Sequence, residues 1–323
     1  MYLTVFRGFF REGLTCHCEE PQETKQSLQD YGNPCGIASI YGNVGEIARH
    51  WAHGLFSIQP VVVIALSGYN HGEDQYRPNK MYAILADIHS NLTALKAVLE
   101  DIERRGGVDE VWCLGDIVGY GPDPHECIDT LRQMKHVNIM GNHDAAAVGK
   151  IDIAFFNRDA AAAIRWTAGQ LTHDDYVYLN QLPLSIERES FTLVHGSPRD
   201  PVREYLHSTH SAEQNLPYLH TMYCLVGHTH SPTVFVFNDT ADGTMKRFEP
   251  DSPLMLGEDR LIINPGAVGQ PRDGDPRASY ALLDSDAGTL TLHRVSYDIP
   301  AAQAKIMSNN LPASLAVRLN YGL

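Results

Sequence analysis

The chain has 323 residues, 43% hydrophobic and 20% charged, with 25 Lys and Arg against 39 Asp and Glu for a formal net charge of -14. That length allows one large domain or two ordinary ones with a sizeable core, and the acidity argues against a nucleic-acid polymer or an anionic membrane as partner, since both are held through Lys and Arg neutralising phosphate. Six scattered cysteines do not make a disulfide framework and fit a reducing cytoplasm, and the longest apolar run, PVVVIAL at 60 to 66, is far shorter than a membrane helix.

Residues 1 to 80 keep no sustained hydrophobic period, and no strand-turn-helix unit can be written for them. VFRGFF is broken by Arg7 and followed by no small-residue cleavage site, so it does not read as a signal peptide. The CHC at 16 to 18 lacks a second pair at finger spacing and does not read as a zinc site. A poorly structured N-terminal extension is expected here. The functional domain is expected over 81 to 323, which carries 19 basic against 31 acidic residues.

From Met81 onward the pattern changes. YAILAD is a short apolar run ending abruptly in polar residues, and the next stretch places Leu92, Leu95, Val98, Leu99 and Ile102 on one helical face, with Ser90 as N-cap and Gly106-Gly107 as stop. EVWCLGD, HVNIMGN, FTLVHGS and YCLVGHTH read as further buried strands, with Cys113 and Cys224 as buried thiols. Helices are expected near 91 to 105, 124 to 135, 157 to 171 and 173 to 181. After His230 come TVFVFN, LIINPG, ASYALLD and GTLTLHRVSY, strands with turn signals at Asp242-Gly243 and Ala287-Gly288, then a helical end over 300 to 318. Two sheets packed face to face with helices outside suit this order.

Each of the five earlier strands ends in residues able to hold a metal: Asp87 and His89, Asp116, Asn142 and His143, His195, and His228 with His230. Carboxyl ends of strands in α/β sheets converge on one crevice. Alternation along an extended chain would send both outer residues of Asp87-Ile88-His89 and of His228-Thr229-His230 the same way. Mixed oxygen and imidazole donors suit Mn²⁺, Fe or Zn²⁺ rather than Ca²⁺. These donors are too many for one such ion, so two divalent ions sharing Asp116 are expected. His125, His136, His173, His207, His210, His220 and His293 lack the strand-end context and read as ordinary surface or core histidines.

The ordered blocks DIHSN, GDIVGYG, GNHD, HGSP and GHTH resemble the calcineurin-like metallophosphoesterase superfamily, from about residue 81 to 295. NPGAVGQPRD, at 264 to 273, resembles a loop of its bacterial small-phosphoesterase branch. The resemblance implies a four-layer α/β/β/α sandwich of two mixed sheets with a dinuclear site. Asp87, His89, Asp116 and His230 would hold one ion, Asp116, Asn142, His195 and His228 the other, and His143 would be the catalytic histidine. The first ligand pair of that superfamily lies on its first strand, so the segment before Met81 has no expected place, and Met81 reads as the biological start.

The expected activity is a phosphodiesterase or phosphatase acting on a small organic or nucleotide phosphate, with Mn²⁺ as the first-choice metal. Two cations would clamp the phosphate and activate a water, His143 would donate a proton to the leaving oxygen or steady its charge, and Asp144 would orient the loop. Gly119-Tyr120-Gly121 stands where phosphoprotein phosphatases and symmetrical diadenosine tetraphosphate hydrolases carry Asp-Arg-Gly. The missing arginine counts against a phosphoprotein substrate, and Arg199 or Arg272 could supply the grip on phosphate instead. The rival reading is a non-catalytic scaffold of the same fold, against which the full ligand set and His143 both speak.

Overall fold

Strand β1 (Met81–Leu85) is buried on both faces: alternation sends Tyr82 and Ile84 into one apolar cluster and Ala83 and Leu85 into another. The computed structural model describes residues 80 to 238 and 241 to 323. The expectations for the N-terminal segment, for its CHC and for what precedes Met81 lie outside the described residues. Helix α1 (Leu92–Arg104) follows β1, capped by Asn91, whose Oδ1 accepts the Ala94 N–H at 3.1 Å. Ser90, expected as the cap, sits one residue early in left-handed backbone (φ 52°). Beyond the helix Gly106 and Gly107 take positive φ and end it.

In the first sheet β2 (Glu110–Cys113) and β3 (His136–Asn138) pair in parallel beyond β1. On its other side β11 (Ala278–Asp284), β12 (Thr289–Val295) and β9 (Pro253–Met255) continue antiparallel, for the order β3-β2-β1-β11-β12-β9. The second sheet runs β4-β5-β6-β10-β7-β8, from β4 (Ser185–Arg188), β5 (Phe191–Val194), β6 (Tyr223–Leu225), β10 (Arg260–Asn264), β7 (Thr233–Asn238) and β8 (Ala241–Arg247). There β5 pairs with β6, and β6 with β10, in parallel, and the other neighbours pair antiparallel. Both sheets are mixed.

Tyr82, Ile84, Trp112, Phe191, Leu225 and Ile263 fill the space between the sheets. The outer face of the first sheet is covered by α1 and α2 (Pro124–Arg132) through Leu95, Val98 and Ile128. Leu206, Ala212 and Leu219 cover Phe235 and Ile262 on the outer face of the second, with Ala212 on α6 (Thr209–Glu213). These are the four layers of an α/β/β/α sandwich. Helices α3 (Asn142–Ala147), α4 (Arg158–Gln170) and α5 (His173–Gln181) follow β3. The helical end divides into α7 (Ile299–Ser308) and α8 (Ala313–Val317), since Pro312 cannot continue a helix.

Two sequence-based expectations fail locally. Asp242-Gly243 lies within β8 rather than in a turn, and β4, whose alternation is masked by its exposed Ser185 and Glu187, is not anticipated at all. Cys113, Cys127 and Cys224 are free and buried. Among the described residues no helix is long and apolar enough to cross a membrane.

Candidate metal centre

The chain leaves β1, β2 and β6 through residues in left-handed backbone: Asp87 (φ 53°), His89 (50°), Asp116 (53°), His228 (67°) and His230 (59°). L-residues seldom adopt this conformation, and it persists only where the surroundings enforce it. The enforcement is a set of backbone hydrogen bonds between loops, including Asp87 N–H to Gly115 O (3.1 Å) and His89 N–H to Asp116 O (2.9 Å). The reason inferred from sequence is therefore corrected. Asp87 and His89, like His228 and His230, meet because both members of each pair are left-handed, and not because an extended strand alternates.

Asp87, His89, Asp116 and His230 form one buried group, and Asp116, His195 and His228 another, with candidate donor atoms in each within 4.8 Å of one another. Asp116 belongs to both. Its Oδ2 lies 3.6 Å from His89 Nε2 and 3.3 Å from His195 Nε2, and its Oδ1 accepts the His143 backbone N–H at 2.8 Å. Asn142 Oδ1 lies 3.0 Å from His195 Nε2, which joins Asn142 to the second group. The close approach needs Gly141, where a Cβ would fall 2.0 Å from Asp116 Oδ1.

All four imidazoles are oriented by backbone carbonyls. His89 Nδ1 meets Val118 O (3.2 Å), His195 Nδ1 meets Leu114 O (2.8 Å), His230 Nδ1 meets Gln270 O (2.6 Å) and His228 Nε2 meets Arg203 O (3.3 Å). A carbonyl only accepts, so in the neutral rings these nitrogens carry the protons and the other nitrogen of each ring presents a lone pair. Those lone pairs face one another: His89 Nε2 and His230 Nε2 at 3.1 Å, and His195 Nε2 and His228 Nδ1 at 3.1 Å. His195 Nε2 and the Asn142 oxygen meet in the same way. Between two such lone pairs there is no hydrogen bond to make. Asp116 Oδ2 is likewise buried without a hydrogen-bond partner. A cation about 2.0–2.2 Å from each donor would sit among donors roughly 3.0–3.5 Å apart, so the residues fit divalent ions.

Protonation agrees. Burial holds His89 and His228 well below the ordinary imidazole range and lowers His230 as well. Burial alone would raise Asp116, but His195, His143 and His89 outweigh it and keep its carboxyl well below the usual range. His195 differs: burial disfavours its charge, yet Asp116 pulls its pKa up to about 9, so without an ion this ring holds a proton beside the carboxylate, a positive charge that a metal ion would replace.

His143, in the first turn of α3, is buried among His89, Tyr120 and Phe156, with ring centroids 4.8, 4.3 and 5.1 Å away. Its Nδ1 has no hydrogen-bond partner, and burial lowers its pKa to about 4. Gly119 (φ 96°) makes room for it, since a Cβ there would fall 2.4 Å from Nδ1. Asp144 accepts the Val118 and Gly141 N–H groups, both at 3.0 Å, and so ties the GDIVGYG loop to the GNHD turn. Burial pushes its carboxyl up to about 7.

The two candidate arginines differ. Arg199 is committed to Glu204 and to Gln214 Oε1 (3.0 Å), so the structure gives it a partner on its own loop. Among the described residues the Arg272 side chain meets the Tyr120 hydroxyl (3.3 Å) and Gln270 Oε1 (2.9 Å), and its backbone N–H donates to the His230 carbonyl at 3.2 Å, which places it beside the centre. Sequence reasoning missed Tyr120 and Phe156 as the walls around His143. It also missed Tyr205, stacked on His228 at 3.6 Å. Tyr120 stood in view within GDIVGYG, whereas no local signal marked the other two.

A model of the calcineurin-like phosphoesterase superfamily domain matches residues 81–288. An uncharacterized protein of Methanocaldococcus jannaschii is 39% identical over 248 residues, 75% of this chain and 98% of that one. The crystal structure of a metallophosphoesterase from Sphaerobacter thermophilus superposes with a TM-score of 0.69 at 42% identity, covering 76% of this chain and all of the other. A symmetrical bis(5'-nucleosyl)-tetraphosphatase of Thioalkalivibrio sulfidiphilus is similar over a short stretch, 33% identical over 66 residues and 24% of its length.

Proposed function

The chain belongs to the calcineurin-like phosphoesterase superfamily, and we propose that it is a dinuclear-metal-dependent hydrolase of a phosphodiester or a small organic or nucleotide phosphate. The observation that carries this reading is Asp116 Oδ2, buried, unpartnered and shared by two donor groups. Asp87, His89, Asp116 and His230 would hold one divalent ion and Asp116, Asn142, His195 and His228 the other, with Mn²⁺ the first choice and Fe or Zn²⁺ the others for this mixed donor set. Such ions supply Lewis-acid polarisation of a phosphoryl group and activation of water near neutral pH.

The chain's own groups would do the rest. Because Nδ1 of His143 has no acceptor, the neutral ring carries its proton on Nε2. With a pKa of about 4 that neutral form prevails at pH 7, so His143 serves best by an Nε2–H hydrogen bond that strengthens as charge builds on the leaving oxygen. It would act as a full proton donor only when the charge of a bound phosphate draws a proton onto it. Asp144 touches no reacting atom in this scheme and positions the loop. Arg272, which pairs with no carboxylate among the described residues, would grip a phosphate oxygen.

Tyr120 packs against His143 where an Asp-Arg-Gly arginine is lacking, which favours diesters and small nucleotides over phosphoproteins. The test is a panel with the Mn²⁺-loaded protein: a nitrophenyl phosphomonoester, a bis-nitrophenyl diester, 2′,3′-cyclic nucleotides, dinucleoside polyphosphates and a phosphoserine peptide. Turnover of the diester or of a small nucleotide is expected. No turnover of any ester would leave the scaffold reading standing, and a phosphopeptide as best substrate would overturn the substrate class.

A further inference from the structure

Phe155, Tyr176, Tyr205, Tyr218 and Tyr321 are the exposed phenylalanine and tyrosine side chains among the described residues. Of these, Tyr205 alone has its ring against one of the proposed metal ligands. It stacks on His228, with centroids 3.6 Å apart and planes 22° apart. His228 is only 3% exposed, whereas Tyr205 stays 44% exposed. The imidazole therefore covers one face of the phenol ring, and the exposure belongs to the rest of it. Among the described residues the Tyr205 hydroxyl has no hydrogen-bond partner.

The backbone that carries this ring is held on both sides. Before it, Glu204 receives Ser197 Oγ, Arg199 and Asn215 Nδ2, the last at 3.0 Å; after it, Leu206 is buried in one cluster with Ala212 and Leu219. His207 is exposed again, and its ring lies nearly parallel to that of Tyr205, at 6° and 5.4 Å. A parallel ring at that distance is offset rather than face to face, so it leaves part of the tyrosine open. An aromatic ring already fixed in place loses little freedom on binding. With an unpartnered hydroxyl at its rim, it suits a ligand that is flat and apolar on its face and polar at its edge. A nucleobase has that character, and an alkyl or sugar group does not.

We propose that Tyr205, with His207 beside it, is a stacking platform for a nucleobase carried on the phosphate ester. The proposal rests on the phosphoesterase reading and narrows its substrate class to nucleotides rather than simple organic phosphates. His228 belongs to the second donor group, so the platform stands at the edge of that group.

Calorimetric binding of the 5′-methylenephosphonate analogues of AMP and of ribose 5-phosphate to the Mn²⁺-loaded full chain tests it, since neither is hydrolysed and they differ in the base. The AMP analogue should bind at least about fivefold more tightly, the lower end of what a base stacked on an aromatic side chain contributes. Tyr205→Ala should bring that ratio to within about twofold of unity and leave the ribose analogue bound as before, and Tyr205→Phe should keep most of the ratio. Equal binding by the unmodified chain, or a preference that survives Tyr205→Ala, would overturn the platform alone. So would a Tyr205→Ala variant that loses both ligands equally or releases Mn²⁺, since the ring would then serve only to cover His228. If neither analogue binds the unmodified chain, the phosphoesterase reading falls, and this one with it.

Discussion

Two buried carboxylates flank one short strand. Glu110 begins β2, and Asp116 follows its other end; both are almost fully buried. At the first end the chain satisfies the charge itself: Glu110 Oε2 receives Arg188 Nη2 at 2.6 Å and Trp112 Nε1 at 3.1 Å, and nearby the Tyr82 hydroxyl donates to Glu189 Oε1 at 2.6 Å. At the other end, one oxygen of Asp116 takes a backbone N–H, while Oδ2 lies between His89 Nε2 and His195 Nε2 with no hydrogen bond among the described residues. A buried charge left so is costly unless something from outside completes it. The difference separates a charge that serves the fold from a charge that awaits a ligand, and burial alone does not tell them apart.

Metal removal should break the comparison most sharply. Chelation is expected to abolish turnover, with Mn²⁺ restoring it, and to lower the thermal midpoint through the Asp116 end alone. Asp116→Asn should lose metal and activity together, by more than about 100-fold in turnover, because the negative charge that the two proposed ions would share is gone. Full metal content in that variant, measured by elemental analysis, would remove Asp116 from the bridging position.

His143→Ala sharpens the same end. It should reduce turnover by about 10² to 10⁴ with both ions retained, the usual range for a group acting on the leaving oxygen. Loss of metal along with activity would make His143 a ligand rather than a catalytic group. At the Glu110 end, Arg188→Met should leave turnover unchanged and cost about 1–2 kcal/mol in denaturant unfolding, below the cost of breaking a fully buried pair because Arg188 is 41% exposed. An equal loss of activity would show that the two ends of β2 are not independent.

The sheets were legible because β1, β2, β5 and β6 are short apolar runs that end abruptly, and the donor residues were legible because they stand at those ends. The geometry joining them was not. Left-handed backbone at Asp87, His89, His228 and His230 is stabilised by hydrogen bonds between loops distant in sequence, which no local pattern reports. The carbonyls that orient the imidazoles have no side-chain signature, and the pairing of Arg199 with Glu204 rather than with substrate depends on a loop whose path is set by Ser197 and Asn215. Likewise β4 is a half-exposed edge strand with little apolar signal.

The smallest expected effect lies away from both ends of β2, where α2 meets α5. His125 Nδ1 lies 3.0 Å from Asp175 Oδ2, and Asp129 is 3.4 Å from its Nε2. The hydrogen bond to Asp175 chiefly raises the His125 pKa, with Asp129 and Glu126 adding to it. A histidine whose folded pKa exceeds its unfolded value of about 6.5 contributes stability that is fully present below that value. The contribution disappears as pH rises through the folded pKa. Because the ring is 44% exposed, solvent screening keeps the effect to a few tenths of a kcal/mol. Denaturant unfolding of the unmodified chain and of His125→Gln should therefore differ more at pH 5.5 than at pH 8.5, whereas a difference that does not change with pH, or one that grows toward pH 8.5, would mean that His125 holds α2 to α5 by packing and not by charge.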